Sequence, residues 1–174
     1  MAMIIKTTFK PTHTLKMSSK VVTEFADKSF SGQNYDSARP KYPSELYLRI
    51  KKSYDSFVQS QNAKGNKQPN EPIFVDIGCG PGTATYELRK LVSQKAKIFG
   101  LDPSEKMIEA ANDLTDPTDS SIRFGISDER SFNNYFKENG NFAEAANNDK
   151  VTLITAAECC HWFEFPTFLR NSYD

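Results

Sequence analysis

At 174 residues the chain carries one domain's worth of sequence, enough to bury a single core. Its 22 Lys and Arg balance its 22 Asp and Glu, so no basic field draws in nucleic acid phosphates, and a small-molecule partner is expected instead. No apolar run approaches the ~20 residues that span a bilayer, and three cysteines, two of them adjacent, argue against a secreted disulfide framework.

The first 22 residues hold Lys6, Lys10, Lys16 and Lys20 with no acid before Glu24. They lack arginine, and Met3-Ile4-Ile5 is too short for a secretory apolar region, so a cytoplasmic location is expected ahead of a mitochondrial one. Residues 1–32 read as an extension without fixed structure, with Met17 as a second candidate start. The domain proper is expected over 33–174.

Gln33 to Pro43 mixes aromatics with Arg-Pro and Tyr-Pro steps that favour extended backbone, which suggests an ordered arm. From Ser44, a plausible N-cap, Leu46, Tyr47, Ile50, Tyr54, Phe57 and Val58 recur near helical period. Gln59 to Pro72 is polar and aperiodic, so an exposed loop is expected. Ile73 to Ile77 reads as a strand, and Thr83 to Ser93 as a helix after a glycine-rich turn. Lys97 to Leu101 is a second strand ending at Asp102, and Pro103-Ser104-Glu105 opens a second helix through Ala111. Ile122 to Ile126 reads as a third strand, with a short helix expected at Ser131 to Phe136. Val151 to Ala156 follows as a fourth strand. Strands alternating with helices predict a Rossmann-like doubly wound parallel sheet with right-handed crossovers.

The strongest chemical signal is Val75-Asp76-Ile77-Gly78-Cys79-Gly80-Pro81-Gly82 between the first strand and its helix. Gly78 and Gly80 let backbone approach a ligand, and Gly82 permits tight turning into the helix. The pattern is G-x-G-x-G, with Thr83 where a dinucleotide fingerprint needs glycine, so a nicotinamide-dependent oxidoreductase is not indicated. Asp102, at the end of the second strand, can accept two hydrogen bonds from a ribose diol; it could equally cap the following helix. Asp76 can hold loop amides or attract a cationic ligand, and a sulfonium would suit it.

VDIGCGPG with its downstream acid at Asp102 resembles the class I S-adenosylmethionine-dependent methyltransferases. The arm Tyr35-Asp36-Ser37-Ala38-Arg39-Pro40-Lys41-Tyr42-Pro43, the segment TATYEL and the stretch Ala156 to Phe163, AAECCHWF, resemble fungal trans-aconitate methyltransferases and related small-molecule methyltransferases. The resemblance implies S-adenosyl-L-methionine as the methyl donor, with Asp76, Gly78, Gly80 and Gly82 lining its site and Asp102 on the ribose. It further implies Asp128 and Glu129 beside the adenine, Ala156 under the methionine moiety, and His161 and Trp162 near the acceptor. Tyr35 and Arg39 are implied for the acceptor side, although Arg39 could simply pair with Asp36 and both tyrosines of the arm could pack. No metal site is expected, because adjacent Cys159 and Cys160 cannot supply separated tetrahedral ligands.

Members of this family build a seven-stranded sheet, and about four of those strands are expected here. The fourth, VTLITA, is apolar on both faces, so an unpaired hydrophobic edge is expected beside it. The sequence leaves open a small-molecule methyltransferase, a truncated inactive relative that binds donor, and a half completed by a second chain.

Overall fold

The computed structural model describes residues 3–5, 41–66, 69–138 and 151–173. In chain order the elements are β1 (Met3–Ile5), α1 (Ser44–Ala63), β2 (Ile73–Ile77), α2 (Thr83–Leu91), β3 (Lys97–Asp102), α3 (Glu105–Asp113), β4 (Ile122–Ile126), α4 (Phe132–Glu138), β5 (Val151–Thr155), a 3-10 turn (Cys160–Trp162) and α5 (Phe165–Tyr173). The strands form one sheet in the order β1-β5-β2-β3-β4, and every neighbouring pair is parallel.

β2 lies at the centre, and all five of its residues are buried. That is why it reads as a continuous apolar run rather than an alternating one: helices cover both faces of a parallel sheet. Alternation along the strand sorts its side chains between the two faces. Phe74 packs with Tyr47, Ile50 and Tyr54 of α1, Leu88 of α2 and Leu153 of β5. Val75 and Ile77 pack on the other face, with Leu101, Phe132, Ile154 and Phe168. A third cluster joins Ile108 and Ala111 of α3 to Ile122 and Phe124 of β4, close to Cys79. The expected α/β class and its four parallel strands are therefore present as β2 to β5.

Register matters for function because it aligns the strand ends. Asp76 of β2 stands level with Gly100 of β3 and Thr155 of β5, and Asp102 of β3 stands level with Ile126 of β4. The C-terminal ends of β2, β3 and β5 thus open on one crevice. Between β5 and β2 the sheet order leaves consecutive numbering, which is the kind of switch point where ligands bind in open α/β sheets.

Three local expectations are corrected. Ser44 is the first residue of α1 rather than its cap: Pro43 occupies the cap position with extended backbone and no side-chain cap. α1 runs on to Ala63, so the polar stretch after Gln59 is helical for one more turn before the loop begins. The free edge expected beside β5 is occupied by β1, with Met3 opposite Leu153, Ile4 opposite Ile154 and Ile5 opposite Thr155. Met-Ile-Ile favours extended backbone, and parallel pairing there satisfies the ladder groups that β5 would otherwise present at an edge. The remainder of the expected extension and most of the arm, including Tyr35 and Arg39, lie outside the described residues.

Candidate functional site

The turn after β2 is built from three glycines in the left-handed region: Gly78 at φ 69°, Gly80 at φ 55° and Gly82 at φ 88°. Gly82 hands the chain directly into α2 as its cap residue. The turn is anchored to the next strand by the Gly78 and Cys79 amides, which both donate to the Leu101 carbonyl at 2.7 and 3.1 Å. The approach is close. A Cβ on Gly78 would lie 2.6 Å from Cys159 Sγ, and one on Gly82 would lie 2.6 Å from Phe124 Cζ.

Asp102 ties the turn to the end of β3. Its Oδ2 accepts from the Gly80 amide at 2.9 Å, and its Oδ1 accepts from the Ser104 amide at 2.9 Å. Burial pushes its carboxyl up, against those two amide hydrogen bonds, which pull it down. The helix-cap role weighed for Asp102 falls to Ser104, whose hydroxyl accepts from the Met107 amide. Asp102 remains half-buried at the crevice, and a carboxylate oxygen holding one amide keeps lone pairs for a further donor.

Asp76 has a different position. It is buried at 1% exposure, and both oxygens are held from within the fold: Thr85 Oγ1 donates to Oδ2 at 2.7 Å, and Thr155 Oγ1 donates to Oδ1 at 2.8 Å. It therefore clamps α2 and β5 to β2 underneath the glycine turn. Neither threonine was singled out in the sequence as a site residue. The signal available was their placement, Thr85 in the first turn after the glycines and Thr155 at the end of a strand.

Burial raises the Asp76 carboxyl to about 6, against the two threonine hydrogen bonds that lower it, with the Asp102 charge adding to the rise. Because the folded value lies above the unfolded one, this group favours the fold below about pH 4, and that contribution is lost as pH rises through about 6. A rise of about two units corresponds to roughly 3 kcal/mol at pH 8 relative to pH 4. Asp76→Asn removes the ionisation, so the difference in stability between the chain and this variant should change between pH 4 and pH 8. Denaturant midpoints that run parallel across that range would show that Asp76 ionises in the fold as it does in the unfolded chain, and that burial does not raise it.

The segment after β4 carries the two acids expected beside the adenine. Asp128 Oδ1 accepts from the Ser131 amide at 2.9 Å and its hydroxyl at 2.6 Å, and from the Arg130 amide at 3.1 Å. Burial pushes the Asp128 carboxyl up, but these bonds and Arg130 outweigh it and hold the group below its usual value. Glu129 Oε1 takes the Glu164 amide at 3.3 Å, just ahead of α5. Both carboxylates are thus engaged in the turn into α4 and in its contact with the last helix.

After β5, Ala156 is buried at the strand end. The Cys159 thiol donates to the Ile77 carbonyl at 3.0 Å, so the chain leaving β5 passes over the start of the glycine turn. The Cys160 thiol bonded to it, followed by burial, holds the Cys159 thiol well above its usual range. It is a neutral packing group rather than a nucleophile. His161 and Trp162 follow in the 3-10 turn with ring centroids 4.5 Å apart, and Trp162 is 45% exposed. The structure therefore gathers the glycine turn, Asp102 and Ala156 around the C-terminal ends of β2, β3 and β5, with Asp76 beneath, and the turn carrying His161 and Trp162 is tied to Cys159 by the Trp162 amide.

Residues 74–174 match a family described as "Methyltransferase domain". A probable S-adenosylmethionine-dependent methyltransferase, CRG1, of Saccharomyces cerevisiae is 28% identical over 142 residues, covering 80% of this chain and 40% of the relative. A putative methyltransferase of Dictyostelium discoideum is 30% identical over 153 residues, covering 86% of this chain and 45% of the relative. The chain thus spans less than half the length of these curated relatives. Among solved structures, the plantazolicin methyltransferase BpumL in complex with SAH aligns at a TM-score of 0.49 and 22% identity, over 88% of this chain and 48% of its own.

Proposed function

Since this chain belongs to the methyltransferase domain family, we propose that it forms the donor-binding part of an S-adenosylmethionine-dependent methyltransferase acting on a small-molecule acceptor. The observation that carries the reading is the hydrogen bond from the Gly80 amide to Asp102 Oδ2, which makes the glycine turn and the strand-end acid one rigid unit facing the crevice. The residues present fit the donor. Gly78 and Gly82 keep backbone where a Cβ would collide with its neighbours, and Asp102 offers remaining lone pairs to a ribose diol.

Bound donor supplies an activated methyl group on a sulfonium, so no protein nucleophile is needed. The chain's contribution is binding and orientation. Asp102 holds the sugar, the glycine turn encloses the amino acid end, and Asp76 fixes the separation of α2 and β5 on which that turn rests. Positioning of this kind converts an encounter of two molecules into a reaction within one complex. His161 and Trp162 border the crevice after β5, where an acceptor can be stacked and shielded from water. A carboxylate acceptor would arrive already ionised and require no general base; trans-aconitate is the finer reading, supported only by the sequence resemblance of the arm Tyr35 to Pro43, the segment TATYEL and the stretch Ala156 to Phe163.

Isothermal titration of the full chain with S-adenosylhomocysteine tests this, with NADH as the comparison ligand. Saturable heat with the former and none with the latter is expected. A folded chain that gives no heat with S-adenosylhomocysteine overturns the proposal.

A further inference from the structure

Among the described residues, Tyr47 Oη is the one buried side-chain nitrogen or oxygen without a hydrogen-bond partner, and Tyr47 is 2% exposed. Leaving such a group unpaired is costly, so a fold that keeps one calls for an occupant, whether water, ion or ligand. The place of the hydroxyl follows from α1. Further along that helix, Tyr54 meets Phe74 of β2 with ring centroids 5.1 Å apart and is hydrogen-bonded to Thr152 near the start of β5. Tyr47 stands two helical turns earlier in the same cluster, a step of about 10 Å that equals about three residues of strand. The same step up the strands leads from Ile73 and Thr152, which are bonded to each other, to Asp76 and Thr155, which are also bonded. Alternation puts Asp76 on the face of β2 that carries Phe74, the face covered by α1 and α2. Burial first, then the charges of Asp76 and Glu87, push the Tyr47 phenol up, which agrees with a hydroxyl that lies toward the acid beneath the glycine turn.

The surroundings select the occupant. A buried water needs about two to four polar partners, but the cluster around Tyr47 is apolar, with Ile50, Phe74 and Leu88, and both Asp76 oxygens already hold threonine hydroxyls. An anion would be repelled by Asp76 and Glu87, and a cation is attracted by both. In a donor whose amino acid end lies at the glycine turn, the ammonium is that cation. We propose that Tyr47 is a donor-binding residue: its hydroxyl oxygen accepts a hydrogen bond from the ammonium of the donor's amino acid end, beneath the glycine turn. The inference rests on the donor-site reading and adds to it a residue from outside the glycine turn and the group it holds. Tyr47 and Asp76 are both closed to solvent, so the contact forms as the ammonium is drawn in from the crevice and out of water, where a hydrogen bond to a charge is strongest.

The test is titration of the full chain and of Tyr47→Phe with S-adenosylhomocysteine, with decarboxylated S-adenosylmethionine, which keeps the ammonium but not the carboxylate, and with 5′-methylthioadenosine, which has neither. Tyr47→Phe keeps the ring in its cluster and removes an oxygen that has no partner in the free chain, so its urea midpoint should hold or rise. Affinity for the first two ligands should fall about tenfold, and that for 5′-methylthioadenosine should stay within about twofold. A loss confined to S-adenosylhomocysteine would assign the hydroxyl to the carboxylate and overturn the ammonium contact. Equal losses for every ligand, or none, remove Tyr47 from the donor site while that site stands. A lowered midpoint would show that the hydroxyl is already satisfied in the free chain, by a bound water for example, and overturns the inference at its premise. Absence of binding by all of these ligands to the unaltered chain overturns the donor reading itself.

Discussion

Asp102→Ala is expected to weaken S-adenosylhomocysteine binding about 100-fold, because the carboxylate serves two structures at once. Toward the ligand, in the proposed reading, it accepts from two ribose hydroxyls, and hydrogen bonds to a charged group contribute about 1.5–3 kcal/mol each. Two of them amount to roughly 3 kcal/mol or more, which is the hundredfold loss. Toward the protein, alanine leaves the Gly80 and Ser104 amides without the acceptors they have at 2.9 Å. The glycine turn then loses its tie to β3, so part of the binding loss arises from a cradle that is no longer held. Asp102→Asn separates the two effects: it keeps the shape and one oxygen, and about a tenfold loss is expected from the missing charge. Titration calorimetry measures both, and denaturant unfolding of Asp102→Ala should show a cost of about 1–2 kcal/mol. Wild-type affinity in Asp102→Ala would remove Asp102 from the donor site.

The fold was legible where burial and backbone geometry leave a local trace. β2 and β4 have the bounds read from sequence, Ile73–Ile77 and Ile122–Ile126, since short β-branched runs closed by turn residues are strong signals for buried strands. The end of α1 was not legible, because Gln59 to Ala63 forms a polar last turn whose helicity comes from continuation of the helix rather than from an apolar stripe. β1 was hidden for another reason. Three residues carry no periodicity, and their pairing with β5 joins segments far apart in sequence, a tertiary effect that local reading cannot supply.

The site divides along the same line. Glycines at a strand-to-helix turn and an acid closing the next strand are recognisable because only those residue types meet the geometric demand there. The direction in which a carboxylate points has no such signature. Asp76 and Asp102 were both expected to line the donor site, and the structure turns the first into the fold, toward Thr85 and Thr155, and ties the second to the Gly80 and Ser104 amides at the strand end. Asp128 likewise closes its own turn, a role common to Asp at the start of a helix and invisible until Ser131 and Arg130 are in place.

Gly78→Val should be the most destabilising single change at the glycine turn, with Gly65→Val as its internal control. Both glycines have left-handed backbone, at φ 69° and 79°, so both substitutions incur the same conformational penalty of about 1–2 kcal/mol. Their surroundings differ. Nothing lies within 4 Å of a Cβ on Gly65, whereas a Cβ on Gly78 would meet Cys159 Sγ at 2.6 Å and Cys159 Cβ at 2.8 Å. Cys159 cannot withdraw freely, since its thiol is bonded to the Ile77 carbonyl one residue before the glycine. Forced overpacking costs a further 1–3 kcal/mol, roughly, and places Gly78→Val about 2–5 kcal/mol below the unaltered chain. Relief by movement would push the segment after β5 away from the turn, so donor binding should be lost with the stability. Gly65→Val should lose only the conformational share and bind donor as before. Urea midpoints and titration of the two variants decide the matter: equal costs would mean that the turn and Cys159 part easily, and that the close approach of the Cys159 side chain to the Gly78 backbone is not what shapes this site.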